Sequence, residues 1–203
     1  MMFRAVQFCV VAALCGLSGQ AFAQTGPMTR IRGTIDHRDG SALVIKSREG
    51  DMLTVKMADP FTVVAVVPAT LDDIKPGAFI GTAAMPQKDG TRKAIEVLIF
   101  PEAMRGAGEG DRPWDLMPES TMTNATIADT VGSVDGKAMT LNYKGGSQKI
   151  TIPPNAPIVT FAPGAATELT PGNAVFLSAE QMPDGTLRAS RITVGRNGIA
   201  PPM

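Results

Sequence analysis

Cysteine is nearly missing from this sequence, and histidine and aromatic residues are scarce. The 203 residues include two cysteines, one histidine, one tryptophan and one tyrosine. Both cysteines, Cys9 and Cys15, fall in an N-terminal segment that we predict to be removed, so the remaining chain has none. That chain therefore has no disulfide, no thiolate nucleophile and no cysteine metal site.

The first 23 residues have the pattern of a signal peptide. Arg4 provides a positive start, an apolar run follows, and Ala-Phe-Ala at 21–23 is a small-x-small cleavage motif. The apolar run is too short to span a bilayer comfortably. We therefore expect cleavage after Ala23, export to the periplasm or secretion, and no membrane insertion.

An excess of charge of either sign is absent as well. Removing the leader takes away only Arg4, which leaves 18 Lys and Arg against 19 Asp and Glu. Balanced charge gives no long-range attraction to nucleic acid or anionic lipid. β-Barrels that bind single-stranded nucleic acid also use aromatic side chains on which the bases stack, and aromatic residues are scarce here. We expect no nucleic-acid partner.

A single histidine leaves little room for catalysis or metal binding. His37 lies in the turn Asp-His-Arg-Asp-Gly at 36–40, a position typical of a solvated loop residue. No Gly-x-Ser-x-Gly motif accompanies it, and zinc or copper(II) sites need several His or Cys ligands. We predict that the protein is not an enzyme and has no cofactor and no metal site.

The chain does contain an internal repeat. IKPGAFIGTAAMPQKDGTRKAIEVLI, from Ile74 to Ile99, matches LTPGNAVFLSAEQMPDGTLRASRITV, from Leu169 to Val194. Pro-Gly precedes Asp-Gly-Thr by the same interval in both segments. Upstream, RGTIDHRDGSALVI at 32–45 aligns with VGSVDGKAMTL at 131–141. The match predicts a tandem duplication.

Each half has the pattern of short β-strands. Runs such as ALVIKS and MLTVKM are rich in β-branched residues, and Asp-Gly turns occur at 39–40, 89–90, 135–136 and 184–185. Only TLDDIKPG at 70–77 and ATELTPG at 166–172 suggest a helical turn. Because closure removes sheet edges, we predict an all-β fold of two tandem small OB-like β-barrels. A β-sandwich shared by the halves is the alternative.

The repeat also predicts the domain boundaries. We expect a signal peptide at 1–23, a first barrel at 24–100, a second barrel at 128–195 and a tail at 196–203. Residues 101–127 form a linker that contains glycines, prolines and the only tryptophan.

The repeated pattern resembles a family of small β-barrel domains of unknown function in exported bacterial proteins. It has a G-x-[IV]-D start, an Asp-Gly turn, a Pro-Gly turn and a DGTxxA finish. The linker FPEAMRGAGEGDRPWDLMPESTMTNATI and the ending GIAPPM resemble a group of uncharacterised exported proteins of Gram-negative bacteria. The resemblance implies no catalytic residues.

The linker is the most distinctive segment. Gly106, Gly108 and Gly110 do not fit a phosphate-binding loop, because no helix pattern and no P-loop lysine follow. The acidic spacing of a calcium loop is interrupted at 112–113. Trp114 is either the anchor of an interaction surface or a packing residue between the barrels. The candidate interaction surface consists of Arg105, Glu109, Asp111, Arg112, Trp114 and Asp115.

Two functions remain open. The first is a non-catalytic periplasmic binding or interaction module for an unknown envelope protein or small ligand. The alternative is a weak metal or small-ligand carrier that uses the linker carboxylates and methionines. Met104, Met117 and Met122 are the methionines that we would test for copper(I), although packing is the usual role of such residues.

Overall fold

The computed structural model describes residues 26–133 and 136–202, and this part of the chain is all-β. Its only helical elements are single 3-10 turns at Leu71–Asp73, Glu102–Met104 and Ala166–Glu168. The strands are β1 (Met28–Asp39), β2 (Ala42–Ser47), β3 (Met52–Pro68), β4 (Phe79–Pro86), β5 (Arg92–Ile99), β6 (Gly110–Pro113), β7 (Thr121–Ser133), β8 (Gly136–Tyr143), β9 (Gly146–Ile152), β10 (Ile158–Pro163), β11 (Ala174–Gln181) and β12 (Leu187–Gly195). The predicted all-β class is confirmed, whereas the predicted leader at 1–23 lies outside the described residues.

Five strands close into a barrel, which we call the first ring. β1, β2 and β3 form an antiparallel meander, and β11 pairs antiparallel with both β1 and β12. The ring closes where β12 runs parallel to β3, from Leu187 beside Val55 to Gly195 beside Val66. The interior is filled by apolar side chains from all five strands, including Ile31, Ile35, Leu43, Ile45, Val55, Leu177 and Ile192.

The pairing of five further strands also closes on itself, and we call these strands the second ring. β7, β8 and β9 form the meander, and β4 pairs antiparallel with β5 and β7. Closure is short: β5 runs parallel to β9 with Arg92 beside Ile150 and Lys93 beside Thr151. The core of this ring includes Ile80, Val97, Ala125, Ile127, Leu141, Ile150 and Ile152.

Each ring takes strands from both halves of the chain. β1–β3 are completed by β11 and β12 from the C-terminal half, and β7–β9 are completed by β4 and β5 from the N-terminal half. One barrel per half, as the tandem arrangement requires, is therefore not confirmed. The 17-residue β3 is the turning point: it pairs with β12 of the first ring up to Val66 and with β10 from Val64 to Pro68, and the chain then continues to β4 instead of closing a barrel within its own half.

The two rings meet along a shared apolar layer. The end of β3 pairs antiparallel with β10, and Val66 lies opposite Phe161 at the centre of this pairing. Phe100 packs between Phe79 and Phe161, with ring centroids 5.3 and 5.9 Å away. Leu98 is buried in the same cluster. This layer makes the two rings one packed unit.

β1 and β7 occupy the same place in their rings. Gly33 pairs with the second residue of β11, and Ala125 pairs with the second residue of β4. Each strand then has a bulge, which follows Ile35 in β1 and Ile127 in β7. In the structure, residues 125–127 therefore correspond to residues 33–35. The sequence alignment of 32–45 with 131–141 places the matching segment further along the chain. The range predicted as a linker, 101–127, contains β6 and the first seven residues of β7.

Asp-Gly turns close the hairpins as the sequence predicts. Gly40, Gly90 and Gly185 have φ of +54°, +81° and +81°, a region that glycine adopts at little cost. In two of these turns the aspartate side chain also accepts a backbone hydrogen bond. Asp89 accepts the N–H of Thr91 at 3.0 Å, and Asp184 accepts the N–H of Thr186. Asp135 of the fourth predicted turn lies outside the described residues.

Candidate functional site

Residues 101–120 connect β5 to β7, and we call them the strap. The strap makes a 3-10 turn, a second turn around residue 106, the short strand β6 and a final turn at 115–119. Gly106, Gly108 and Gly110 have φ of +83°, +58° and +128°, a region that glycine adopts at little cost. Their alternation fits the turns and the start of β6 along this segment.

The first part of the strap is fixed to the second ring. Asp111 accepts hydrogen bonds from the Arg92 guanidinium, one of them at 2.8 Å, and from the Thr123 hydroxyl at 2.8 Å. Glu109 accepts the backbone N–H of Lys144 at 3.0 Å. β6 adds to the outer edge of β7, from Gly110 beside Asn124 to Pro113 beside Thr121. These carboxylates therefore serve as attachment points.

Arg105 belongs to the same attachment. Its guanidinium donates to both carboxylate oxygens of Glu102, at 2.5 and 2.7 Å, and to the carbonyl of Gly77 at 2.9 Å. Nearby, the Asn124 amide donates to the carbonyl of Ala107 at 3.0 Å. The predicted residue Arg105 thus holds the strap against the start of β4.

The second part of the strap lies on the first ring. The guanidinium carbon of Arg30 is 4.1 Å from the centroid of the Trp114 ring, and those of Arg112 and Arg32 are at 5.5 and 5.8 Å. Asp115 accepts from Arg32 at 2.8 Å and from Arg30 at 3.4 Å. Trp114 is half-buried, and its indole Nε1 is shielded and has no acceptor among the described residues.

The turn between β2 and β3 completes this contact. Arg48 donates to the carbonyl of Asp115 at 3.3 Å and to that of Leu116 at 3.5 Å. Three arginines of the first ring, Arg30, Arg32 and Arg48, thus surround the strap. We call the group formed by Arg30, Arg32, Arg112, Trp114 and Asp115 the Trp114 cluster.

The pKa values of Asp115 and Arg112 in the cluster are both lowered, for different reasons. Burial acts to raise the pKa of Asp115, but the hydrogen bond from Arg32 and the charges of Arg32 and Arg30 outweigh it, so the pKa is lowered. Burial, followed by the charge of Arg30, lowers the pKa of Arg112. Within residues 26–133 and 136–202, Arg112 forms no ion pair, and its side chain donates to the Gly108 carbonyl at 2.8 Å. The cluster itself contains three arginines and one carboxylate, and the charge of the neighbouring Asp111 opposes the lowering of the Arg112 pKa.

The six residues predicted as one surface fall into two groups. Arg105, Glu109 and Asp111 contact the second ring, whereas Trp114 and Asp115 contact the first, with Arg112 reaching from β6 to the indole. Whether any of them contacts a partner stays a prediction.

Sequence reasoning missed Arg30 and Arg32, which lie more than 80 residues from Asp115. Their alternation in Thr-Arg-Ile-Arg at 29–32 puts both on one strand face, which is the signal that was present.

The described residues include no group of three or more His, Cys, Asp or Glu side chains placed to hold a metal ion. His37 is exposed, but it lies within β1 opposite Val44 and not in the predicted turn, with Nδ1 2.7 Å from the carboxylate of Asp36. The three candidate methionines differ in surroundings: Met122 is buried in β7, Met104 packs against the layer between the rings, and Met117 is exposed.

Surface grooves lie beside both rings. One of about 370 Å³ lies between the strap and the first ring, and its lining includes Met28, Phe176 and Arg191. Two others adjoin the Asp-Gly-Thr hairpins: one of about 800 Å³ is lined by residues 87–93 and 151–155, and one of about 460 Å³ by residues around Lys56 and Arg188.

Comparison of the chain with family models, with curated proteins and with solved structures finds no match. In the part of the chain that the structure describes, no helix is both long and apolar enough to cross a membrane.

Proposed function

We propose that this protein is a non-catalytic binding module of the periplasm, and that its partner binds at the Trp114 cluster. One observation carries the proposal: three arginines gather around the only tryptophan, and a single carboxylate, Asp115, pairs with two of them. A partner that brings a further acidic group would balance the remaining charge.

The architecture proposed for the module is a pair of OB-like barrels that arose by duplication and exchanged their hairpins. Each ring has the order meander strand 1, 2, 3, then hairpin strand 5, then 4, with strands 3 and 5 parallel. This order supports the OB-like assignment, because a five-stranded Greek-key barrel is the defining arrangement of that fold. The corresponding bulges in β1 and β7 support the duplication.

The chemistry of the cluster suits recognition. Tryptophan and arginine dominate the energetics of protein interfaces because they offer large, orientable surfaces. Here the packing of the strap already orients Arg30 and Arg112 against the indole, so little side-chain entropy would be lost on binding. The same contacts fix the strap to the first ring, so Trp114 would act both as a packing residue and as an anchor.

The alternative, a weak metal carrier that uses the linker, has less support. Asp111 and Asp115 already pair with Arg92 and Arg32, and a metal would have to displace these guanidiniums. Calorimetric titration of the mature protein with copper(I), calcium and zinc tests this alternative directly. Three titrations without heat would eliminate it.

Affinity capture from the native cell envelope, read by quantitative mass spectrometry, tests the proposed module. We expect a reproducible partner with the wild-type protein that is lost with Trp114→Ala and with Arg112→Glu. Arg38→Ala, at an exposed arginine near the end of β1, is the matched control and should retain the partner. Failure to recover any partner, or recovery unaffected by the two cluster variants, would contradict the proposal.

A further inference from the structure

The start of β1 has an open sheet edge. β1 pairs with β11 from Met28 onward, but its pairing with β2 begins only at Gly33. Beyond that point β2 ends at Ser47 and the chain turns away toward Asp51. We call residues 28–31 the β1 edge; Met28 is 62% exposed, and residues 29 and 30 are exposed as well.

The direction of the backbone groups follows from their neighbours. The Pro27 carbonyl accepts from the backbone N–H of Gln181, and Ile35 exchanges backbone hydrogen bonds with residues 172–173, just before β11. The Arg32 carbonyl instead accepts from the N–H of Arg48 on the opposite side. Successive residues of a strand present their N–H and C=O groups to opposite edges. Met28 and Arg30 therefore direct theirs to the open side, where no strand of the described residues pairs with them.

The second ring shows what occupies this edge when it is covered. By position relative to the bulge, Arg30 corresponds to Met122 of β7, and Met28 corresponds to Ser120. Met122 is paired with Arg112 of β6, and the Ser120 carbonyl accepts the N–H of Trp114 at 2.8 Å. An added strand of four residues thus fits at this place in the same kind of ring.

We propose that the β1 edge of the first ring accepts one added strand from a partner protein, and that this strand has an acidic residue opposite Arg30. The inference rests on the proposed function and specifies its binding mode. Main-chain hydrogen bonds to Met28 and Arg30 would supply sequence-independent affinity, and the side chains on the outer face would supply selectivity.

Charge identifies the partner as an acidic extended segment. Directly opposite residues of an antiparallel pair lie on the same face, about 5 Å apart, so the residue paired with Arg30 faces the Trp114 cluster. Arg30 is 41% exposed, and Arg48, 43% exposed, is held to the adjoining strap turn. A second copy of this chain is disfavoured, because antiparallel pairing of two such edges would bring their arginines together.

The test uses the mature protein and a blocked seven-residue peptide of alternating glutamate and valine. Amide shifts and hydrogen exchange are followed by NMR during the titration. We expect the Met28 and Arg30 amides to shift and become protected from exchange, while protection of Thr29, which faces β11, stays unchanged. The same peptide with lysine in place of glutamate should not bind.

Two variants separate the main-chain and charge contributions. Met28→Pro removes an outward N–H at an edge position where proline is tolerated, and it should weaken binding about tenfold or more, as expected for lost hydrogen bonds. Arg30→Gln keeps the N–H and should weaken binding about fivefold. Arg38→Gln is the control that should leave affinity unchanged. Equal binding by Met28→Pro and the wild type, or no protection at the β1 edge, would refute the added strand.

The outcomes also separate this inference from the function on which it rests. Capture of an envelope partner that is lost with Trp114→Ala but unaffected by Met28→Pro would support the module and overturn the added strand. Peptide binding with protection of the edge, without any envelope partner, would support the strand site and count against the module.

Discussion

Cutting the strap should leave the two halves of the protein associated. The turn at 117–119 is exposed, so a recognition sequence for a specific protease can be inserted between Met117 and Pro118. Cleavage separates the chain into one piece with β1–β6 and another with β7–β12. Tandem barrels would then be held together only by the apolar layer between them, whereas exchanged strands hold the pieces together through the cores of both rings.

The expected strength of this association follows from the buried side chains. Dissociation would remove β11 and β12 from the first ring, with Val175, Leu177, Ile192 and Val194, all at most 2% exposed. Burial of such side chains contributes about 1.5–3 kcal/mol each, so these four give roughly 6–12 kcal/mol before the second ring is counted. The cost of association offsets part of this. Since 1 µM affinity corresponds to about 8 kcal/mol, we expect submicromolar association.

Size-exclusion chromatography with light scattering measures the outcome. The cut protein at about 1 µM, a concentration set by that affinity, should elute with the mass of the intact chain. In 6–8 M urea, which unfolds most domains, the two pieces should separate. The same protease site placed at the exposed residues 197–198 controls for damage by the protease. Separation of the pieces under native conditions would refute the strand exchange.

Three further changes test individual contacts. Trp114→Ala should lower the free energy of unfolding by about 1–3 kcal/mol through lost packing and cation–π contacts, measured by urea denaturation; an unchanged midpoint would contradict the packing role. Burial acts to raise the pKa of Asp111, but its hydrogen bonds from Arg92 and Thr123 lower the pKa overall. The stability that ionised Asp111 contributes is therefore present above the unfolded pKa of about 3.9 and is lost as the pH falls through the lower folded pKa. Asp111→Asn should accordingly reduce the loss of folding stability below about pH 4, measured by urea denaturation at several pH values. Gly33→Ala would place a Cβ 2.2 Å from a backbone carbonyl of β2 and should destabilise by about 2 kcal/mol or more, well above Gly40→Ala, where space is open and only the positive φ costs about 1 kcal/mol.

The local elements were readable because their causes are local. Asp-Gly at 89–90 and 184–185 predicts tight turns. In β2 the alternation of apolar residues predicts the burial of Leu43 and Ile45, but it does not predict the burial of the polar Ser47. The start of β7 was harder to recognise. Its residues Thr121–Asn124 are polar for the most part, yet Thr123 and Asn124 are buried because β6 covers them.

By itself the sequence determined the all-β class and the turns. These features depend on the φ preference of glycine and on the two-residue period of a strand, and both act over a few residues. Only the tertiary structure decided which hairpin closes which ring, and that Arg30 and Arg32 meet Trp114. Matching strands from either half satisfy the same hydrogen bonds, so the local pattern is identical for both arrangements. The choice depends on the path of β3 and on the apolar layer around Val66 and Phe161, which join residues nearly a hundred positions apart.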